Sequence, residues 1–517
     1  MFRTIWSKSL RDYRIAIPGW GLGFGLIMLA VFSAADPAIV AAWATLASGF
    51  RFLAEPYAMN TPEGFVTFRV MELVLPVFLC IWAILAGARL LRGEEEQGSL
   101  DLVLATPLPR TRLLLEKVSA LILALLLIAL LFTLGSLAGE ASLKIHVDSG
   151  RALLAGLNLS LLAFFFATLT LLISQFTIGR GVAAGWGGGL LVLSVLLDST
   201  GRVVDNAWVK YLSPFYYYNR SRPFIVSYDS SLASALLLLG LSLLFLVLGA
   251  VLFAYRDSGG VVWNLRRGSA RGAIVMERSL KHAQRELANK AIWLRDLAAQ
   301  GFSSFWWIFG VTVYCVWASL LVPSVKKPLE DALKGSPVLG QIFQQYNLLK
   351  DADFLGAVLF SFMPLFVLCF AMMLAMRWVG DLDNGRVELV LCTPRSRVRM
   401  LLERFGAILL PMLLTCVCIW LAIVITAPVS GLDVDQRNVL AAGASLLPMA
   451  LIVIGLTYAL AGRMRYVAVI SIVSFYLLGA YMLEFLKALF SLPEWVMNLS
   501  IFHLYGSPIT QGMNWGP

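Results

Sequence analysis

Apolar runs of about 20 residues, separated by short polar connections, recur from one end of the chain to the other. Each is long enough, at about 1.5 Å per helical residue, to cross a hydrocarbon core of about 30 Å. The pattern predicts spans near 15–33, 70–91, 113–138, 152–173, 182–200 and 232–254. A second series follows near 302–322, 355–378, 405–427, 438–460 and 467–489. No connection leaves room for a large soluble domain. The expected fold is therefore an all-α polytopic membrane protein, with a first transmembrane half (1–254), a polar linker (255–300) and a second transmembrane half (301–517).

Two connections say nearly the same thing: "GSLDLVLATPLPRTRLLLEK" at 98–117 and "GRVELVLCTPRSRVRMLLER" at 385–404. Thr106 and Thr393, Pro107 and Pro394, Glu116 and Glu403, and Trp208 and Trp495 each stand 287 positions apart. The tryptophans open "WVKYLSPFYYY" (208–218) and "WVMNLSIFHLY" (495–505) at identical spacing. One offset kept through a polar and an aromatic phrase identifies two tandem copies of a six-span unit. The offset puts the counterpart of 232–254 near residue 519, past Pro517, so a twelfth span is expected in a longer natural chain; the alternative is eleven spans and an exported C-terminus.

Inside each phrase the order is fixed. Acidic residues come first (Glu94, Glu95 and Glu96, or Asp381 and Asp383), then Gly98 or Gly385. Leu100, Val103 and Leu104, or Val387, Val390 and Leu391, follow at helical i, i+3, i+4 spacing, with Leu102 and Leu389 as the positions through which a partner would push. Acids ahead of a helix suit its positive end, and Thr106-Pro107 or Thr393-Pro394 stops it. A basic turn, Arg110 and Arg112 or Arg397 and Arg399, then sits at the depth of lipid phosphates. A short amphipathic helix slung between two spans converts a push from a cytoplasmic partner into a tilt of both.

Composition agrees with a membrane protein: 59% hydrophobic and only 14% charged, against about 25% charged in soluble domains. The net charge of +10 falls largely in alternate connections, beginning with Arg3, Lys8, Arg11 and Arg14, so it orients the chain and does not mark a nucleic-acid surface. It places the N-terminus in the cytoplasm of a plasma (inner) membrane, and both repeated phrases on that face. The run at 15–32 followed by "SAAD" has the outline of a secretory signal, but its length and its counterpart at 302–322 favour a retained span. Phe2, Ile5, Trp6, Leu10 and Tyr13 share one helical face, and 276–297 has helical spacing, so both are expected to lie in the interface.

The six cysteines, Cys80, Cys315, Cys369, Cys392, Cys416 and Cys418, sit in or beside apolar segments and read as core fillers. The three histidines form no H-E-x-x-H, and no G-x-x-x-x-G-K-[S/T] occurs, so neither a metal site nor a nucleotide cradle is expected in this chain. Gly185, Gly187, Gly188 and Gly189 lie in an apolar span and read as close helix packing.

On these motifs the chain resembles the membrane subunits of ATP-binding-cassette exporters of the type-two class, which move drugs, polyketide antibiotics and polysaccharides. Its acidic-glycine-"LDLVLATPLPR" phrase is similar to that family's coupling helix, and "LSPFYYY" to the exported-side hairpin before the last span of each half. The resemblance implies a duplicated six-span permease, not itself an enzyme, above two copies of a cytoplasmic ABC ATPase subunit that bind the ATP and magnesium. It gives the residues named in the two phrases their coupling role. The second copy departs from the pattern, with Leu382 for Glu95 and Asn384 for Gln97, which implies unequal engagement of the two partners.

The resemblance also places the second, fifth, eighth and eleventh spans along the cargo path, with Pro76, Gly185, Gly188, Pro364 and Ser471 on them. The prolines are expected to kink their helices. Ionisable residues within the spans are few: Glu72, and Glu484 with Lys487 at i, i+3, able to pair. Few charges and many aromatics point to a lipophilic small molecule. An ion-coupled secondary transporter is the alternative, but it needs midplane ionisable groups that are scarce here. A membrane enzyme lacks a catalytic constellation, and the exported loops look too short for a mechanical signalling subunit.

Overall fold

A computed structural model describes residues 5–96, 98–105, 109–142, 148–177, 179–204, 208–256, 292–334, 355–360, 362–383, 385–392, 396–487, 493–506 and 508–511. Among them every regular element is a helix. The chain divides into two compact units, Met1–Ser269 and Ala270–Pro517.

The protein is a multi-pass, all-α membrane protein. In the first unit the helices Ala16–Ser33, Pro62–Arg89, Arg110–Ser142, Ser149–Ser174, Arg180–Val203 and Leu232–Tyr255 are each long and apolar enough to cross a bilayer. In the second, Ser303–Pro323, Met363–Asp383, Arg397–Val429 and Gln436–Ala461 are as well. The eleventh position holds Tyr466–Lys487, with a shorter apolar stretch, Ala468–Glu484.

The repeat extends to helix boundaries. Ser99–Leu104 and Arg386–Leu391, Arg110–Ser142 and Arg397–Val429, and Ser149–Ser174 and Gln436–Ala461 begin and end at positions 287 apart. Local chemistry sets those ends. Asp148 caps its helix by accepting the Gly150 N–H at 2.9 Å, and Asp435, 287 positions on, accepts the Arg437 N–H at 2.9 Å. Ser213 donates its hydroxyl to the Ser194 carbonyl at 2.7 Å, and Ser500 donates to Ala480 at 2.9 Å, so the aromatic hairpin is pinned to the span before it in both units.

Small residues bring the spans of the first unit together. A Cβ at Gly135 would lie 2.2 Å from the Gly25 Cα, and one at Gly87 would lie 2.3 Å from the Ala167 carbonyl oxygen, so the first and third spans and the second and fourth pack backbone to backbone.

Four expectations change. The fifth-span glycines do not all pack: a Cβ at Gly187 would meet Thr170 and Ile84, but one at Gly185, Gly188 or Gly189 meets nothing within 4 Å. Pro76 and Pro364 do not kink a helix interior; each lies in the first turn of its helix, Val74–Arg89 or Met363–Asp383, where the missing N–H has no intrahelical partner to lose. The irregularity falls ahead of them, in the π-helical turns Thr67–Met71 and Gly356–Phe360. Residues 292–297 belong to the single helix Ile292–Lys334 that continues as the seventh span, whereas Ile5–Asp12 is a separate helix that precedes the first span and packs on the third. Cys392 is exposed, while Cys80 and Cys315 are buried as core fillers should be.

Candidate functional site

The two repeated phrases fold alike. Gly98 and Gly385 adopt φ of +67° and +68°, the left-handed region that a side chain disfavours, and this turn separates the acidic stretch from the loop helix. The Gly98 N–H reaches the Glu95 carbonyl at 3.0 Å and the Gly385 N–H the Leu382 carbonyl at 3.1 Å. Each loop helix has six residues, and among the described side chains Leu100 in the first and Val387 in the second are buried. Val103, Leu104 and Leu391 are half-buried, and Leu102, Leu389 and Val390 lie in the same helices. Thr106, Pro107, Thr393 and Pro394 lie outside the described residues.

In the first unit the acidic stretch holds several helices at once. Glu94 sits between Lys117 of the third span, at 2.5 Å, and Lys8 of the N-terminal helix, at 3.0 Å. Burial pushes its pKa up, but the two ammonium groups outweigh burial and hold it below the ordinary carboxylate value. Lys117 also donates to the Leu90 carbonyl at 2.7 Å. Glu95 takes Arg92 at 2.7 Å and, on its other oxygen, Arg256 at the end of the sixth span. Both arginines are only 1% exposed, and Arg92 donates on to the Ser174 carbonyl of the fourth span at 2.8 Å. Burial brings the Arg256 guanidinium down to about 10, opposed by Glu95 and aided by Arg92 and Arg110. Glu96 accepts the Arg180 backbone N–H at 2.7 Å and its guanidinium at 3.1 Å, at the start of the fifth span. Arg256 is thus part of the core and not the first residue of a solvated linker. Arg110 likewise donates to the Phe253 carbonyl at 3.2 Å and to that of Arg256, not outward to lipid, while Arg112, Arg397 and Arg399 are exposed.

The second unit keeps the central ion pair of this junction but changes the sign of its third member. Asp381 takes Arg404 at 2.7 Å, the pair that stands 287 positions beyond Glu94 and Lys117. Arg404 in turn meets Asp296, on the helix equivalent to the N-terminal one, at 3.3 Å. One unit therefore has an anion between two cations, and the other a cation between two anions. Leu382, in the place of Glu95, packs in an apolar cluster with Trp378, Val387 and Met400, and Asp383 is exposed. Val467 stands where the first unit has Arg180.

A second cluster lies toward the other end of the first unit. Glu72 is buried against Arg222 at 2.8 Å and Arg202 at 3.3 Å, and accepts the Glu55 N–H at 2.7 Å. Tyr218 of the aromatic hairpin donates to the Met71 carbonyl at 2.8 Å. Glu72 is thus locked into a buried cluster by two arginines and a backbone N–H. Its register mate is Leu359, that of Arg222 is Ile509, and both are buried. Glu484 faces His503 Nδ1 at 3.7 Å, and the Lys487 side chain lies outside the described residues. Of the cargo-path candidates, Pro76 and Pro364 are buried, Gly185 and Ser471 exposed, and Gly188 half-buried.

Reading the sequence missed the partners of the acids because they come from helices far along the chain. One signal was present: Lys117 and Arg404 close the two repeated phrases at the shared offset, and a cation kept there implies a kept anion.

The arrangement is suited to a mechanical role. Each loop helix is joined by a tight glycine turn to an acidic stretch that is itself ion-paired to neighbouring helices, a geometry through which a displacement of the helix could be carried into them.

Residues 10–258 match the model of the ABC-2 family transporter protein, and residues 297–517 match that described as multidrug efflux system permease Rv1217c, C-terminal domain. No curated protein is significantly similar to the chain.

Proposed function

Because this chain belongs to the ABC-2 type exporter permeases, we propose that it is the membrane subunit of an ATP-driven exporter of hydrophobic small molecules, of drug or antibiotic type. Two copies of a cytoplasmic ABC ATPase dock beneath Ser99–Leu104 and Arg386–Leu391 and hold the ATP and magnesium. The N-terminus is cytoplasmic. The family description matched by the second half, a multidrug efflux permease, supports a lipophilic cargo.

The observation that carries this reading is the clamp on the acidic stretch, since a lever needs a stiff attachment. ATP binding draws the partner subunits together, the loop helices move with them, and Glu94 to Lys117 and Asp381 to Arg404 carry the motion into the third and ninth spans.

Leu102→Glu or Leu389→Glu places a charge where an apolar contact with the partner is expected. In a reconstituted complex, cargo-stimulated ATP hydrolysis should fall about tenfold or more while the melting temperature of the isolated permease stays within a few degrees. Full stimulation in both variants, or transport that survives ATP depletion and stops with a proton uncoupler, would sink the proposal.

A further inference from the structure

We propose that a groove at the head of the ninth span is a binding site for an anionic phospholipid. The groove, of about 500 Å³, lies between Trp293 at the start of Ile292–Lys334 and one face of Arg397–Val429. That face is continuous, because Arg399, Leu402, Glu403 and Gly406 recur at i, i+3, i+4 and i+7.

Its chemistry is that of the headgroup boundary. Arg399 is 70% exposed, and its Nε holds Glu403 at 2.9 Å. Among the described residues its two Nη groups meet no protein partner, so the outer fork of the guanidinium is open to a phosphate. Glu403 does not oppose an anion, since its charge is met by Arg399 and its side chain is only 13% exposed. Beside this cation Val398 and Leu402 stand 67% and 61% exposed, an apolar wall suited to acyl chain, and the indole of Trp293 closes the groove as interfacial tryptophans do. A Cβ at Gly406 would meet nothing within 4 Å, so the floor is open.

Depth and register favour lipid over a soluble anion. The groove occupies the first turns of a helix of 33 residues, about a dozen more than a bilayer core requires, which puts it at the hydrocarbon edge. The first unit has Trp6, Arg112, Leu115 and Glu116 at the matching places, but there the backbone N–H of Trp6 donates to the Glu116 carboxylate at 3.2 Å, and Ser119 replaces Gly406. The site belongs to the second unit.

Native mass spectrometry of the full chain in detergent, with equal phosphatidylglycerol and phosphatidylcholine, tests it without any ATPase, so its failure is separate from that of the transport reading. Phosphatidylglycerol should be retained preferentially. Arg399→Gln should cut that retention roughly tenfold, the loss of one charge-assisted contact. Gly406→Leu should fill the groove and cut it as well, while Arg112→Gln in the first unit leaves it unchanged. Equal retention of the two lipids, wild-type retention in both groove variants, or competition by inorganic phosphate alone overturns the inference.

Discussion

Two kinds of residue carry the junction at the loop helices: glycines that permit a turn and charges that fix it. Gly98→Ala and Gly385→Ala force a side chain into the left-handed region and should each destabilise the protein by about 1 kcal/mol, read as a drop in melting temperature in detergent. Glu94 gives a pH-dependent result. Its folded pKa lies below the ordinary value, so its contribution is complete above the unfolded carboxylate pKa of about 4.3 and is lost as pH falls through the folded value. Glu94→Gln leaves the buried Lys117 without its anion and should cost about 3 kcal/mol at pH 7. The gap between wild type and variant should hold down to the unfolded carboxylate value and close only as the pH falls through the lower, folded one; a gap undiminished at the lowest pH at which the protein stays folded excludes the pairing.

At the scale of elements, two helices of equal length and register are anchored by different physics. The first hangs from ion pairs to the N-terminal helix and to the third, fifth and sixth spans, with Arg92 bonded to the fourth. The second hangs from one triad and an apolar cluster around Leu382. The anchors should not be interchangeable. Glu95→Leu, which copies the second unit into the first, strands Arg92 and Arg256 in a buried site and should cost about 3 kcal/mol. Leu382→Glu, the reverse, puts a carboxylate into an apolar cluster and should also destabilise. Thermal unfolding of the two variants checks both; neutrality of either would mean that the sequence difference has no structural weight.

For the whole molecule, duplication is both the plan and the thing departed from. Glu72 with Arg222 in one unit, and Leu359 with Ile509 in the other, are two solutions at one register. Glu72→Leu or Arg222→Ile alone should cost about 3–5 kcal/mol by leaving a buried charge, whereas the double change should recover most of that loss. A double-mutant cycle by thermal unfolding reads the coupling directly. Orientation has its own test: Cys392, exposed just beyond the second loop helix, should react with an impermeant maleimide in inside-out vesicles and be spared in intact cells.

The sequence by itself determined the spans, the repeat at 287 positions and the place of the loop helices. These depend on hydrophobic length, on residues a few positions apart, or on an offset that subtraction reveals. Tertiary structure alone decided which base meets Glu94, Glu95 or Glu96, why Glu72 is locked in place, which of the fifth-span glycines is packed, and that Pro76 and Pro364 sit in the first turn of a helix that follows a π-turn and do not bend its interior. Such pairings join residues up to 167 positions apart, as with Arg222 and Glu55. Composition only says that buried charge must find an opposite; the packing of the helices chooses which one.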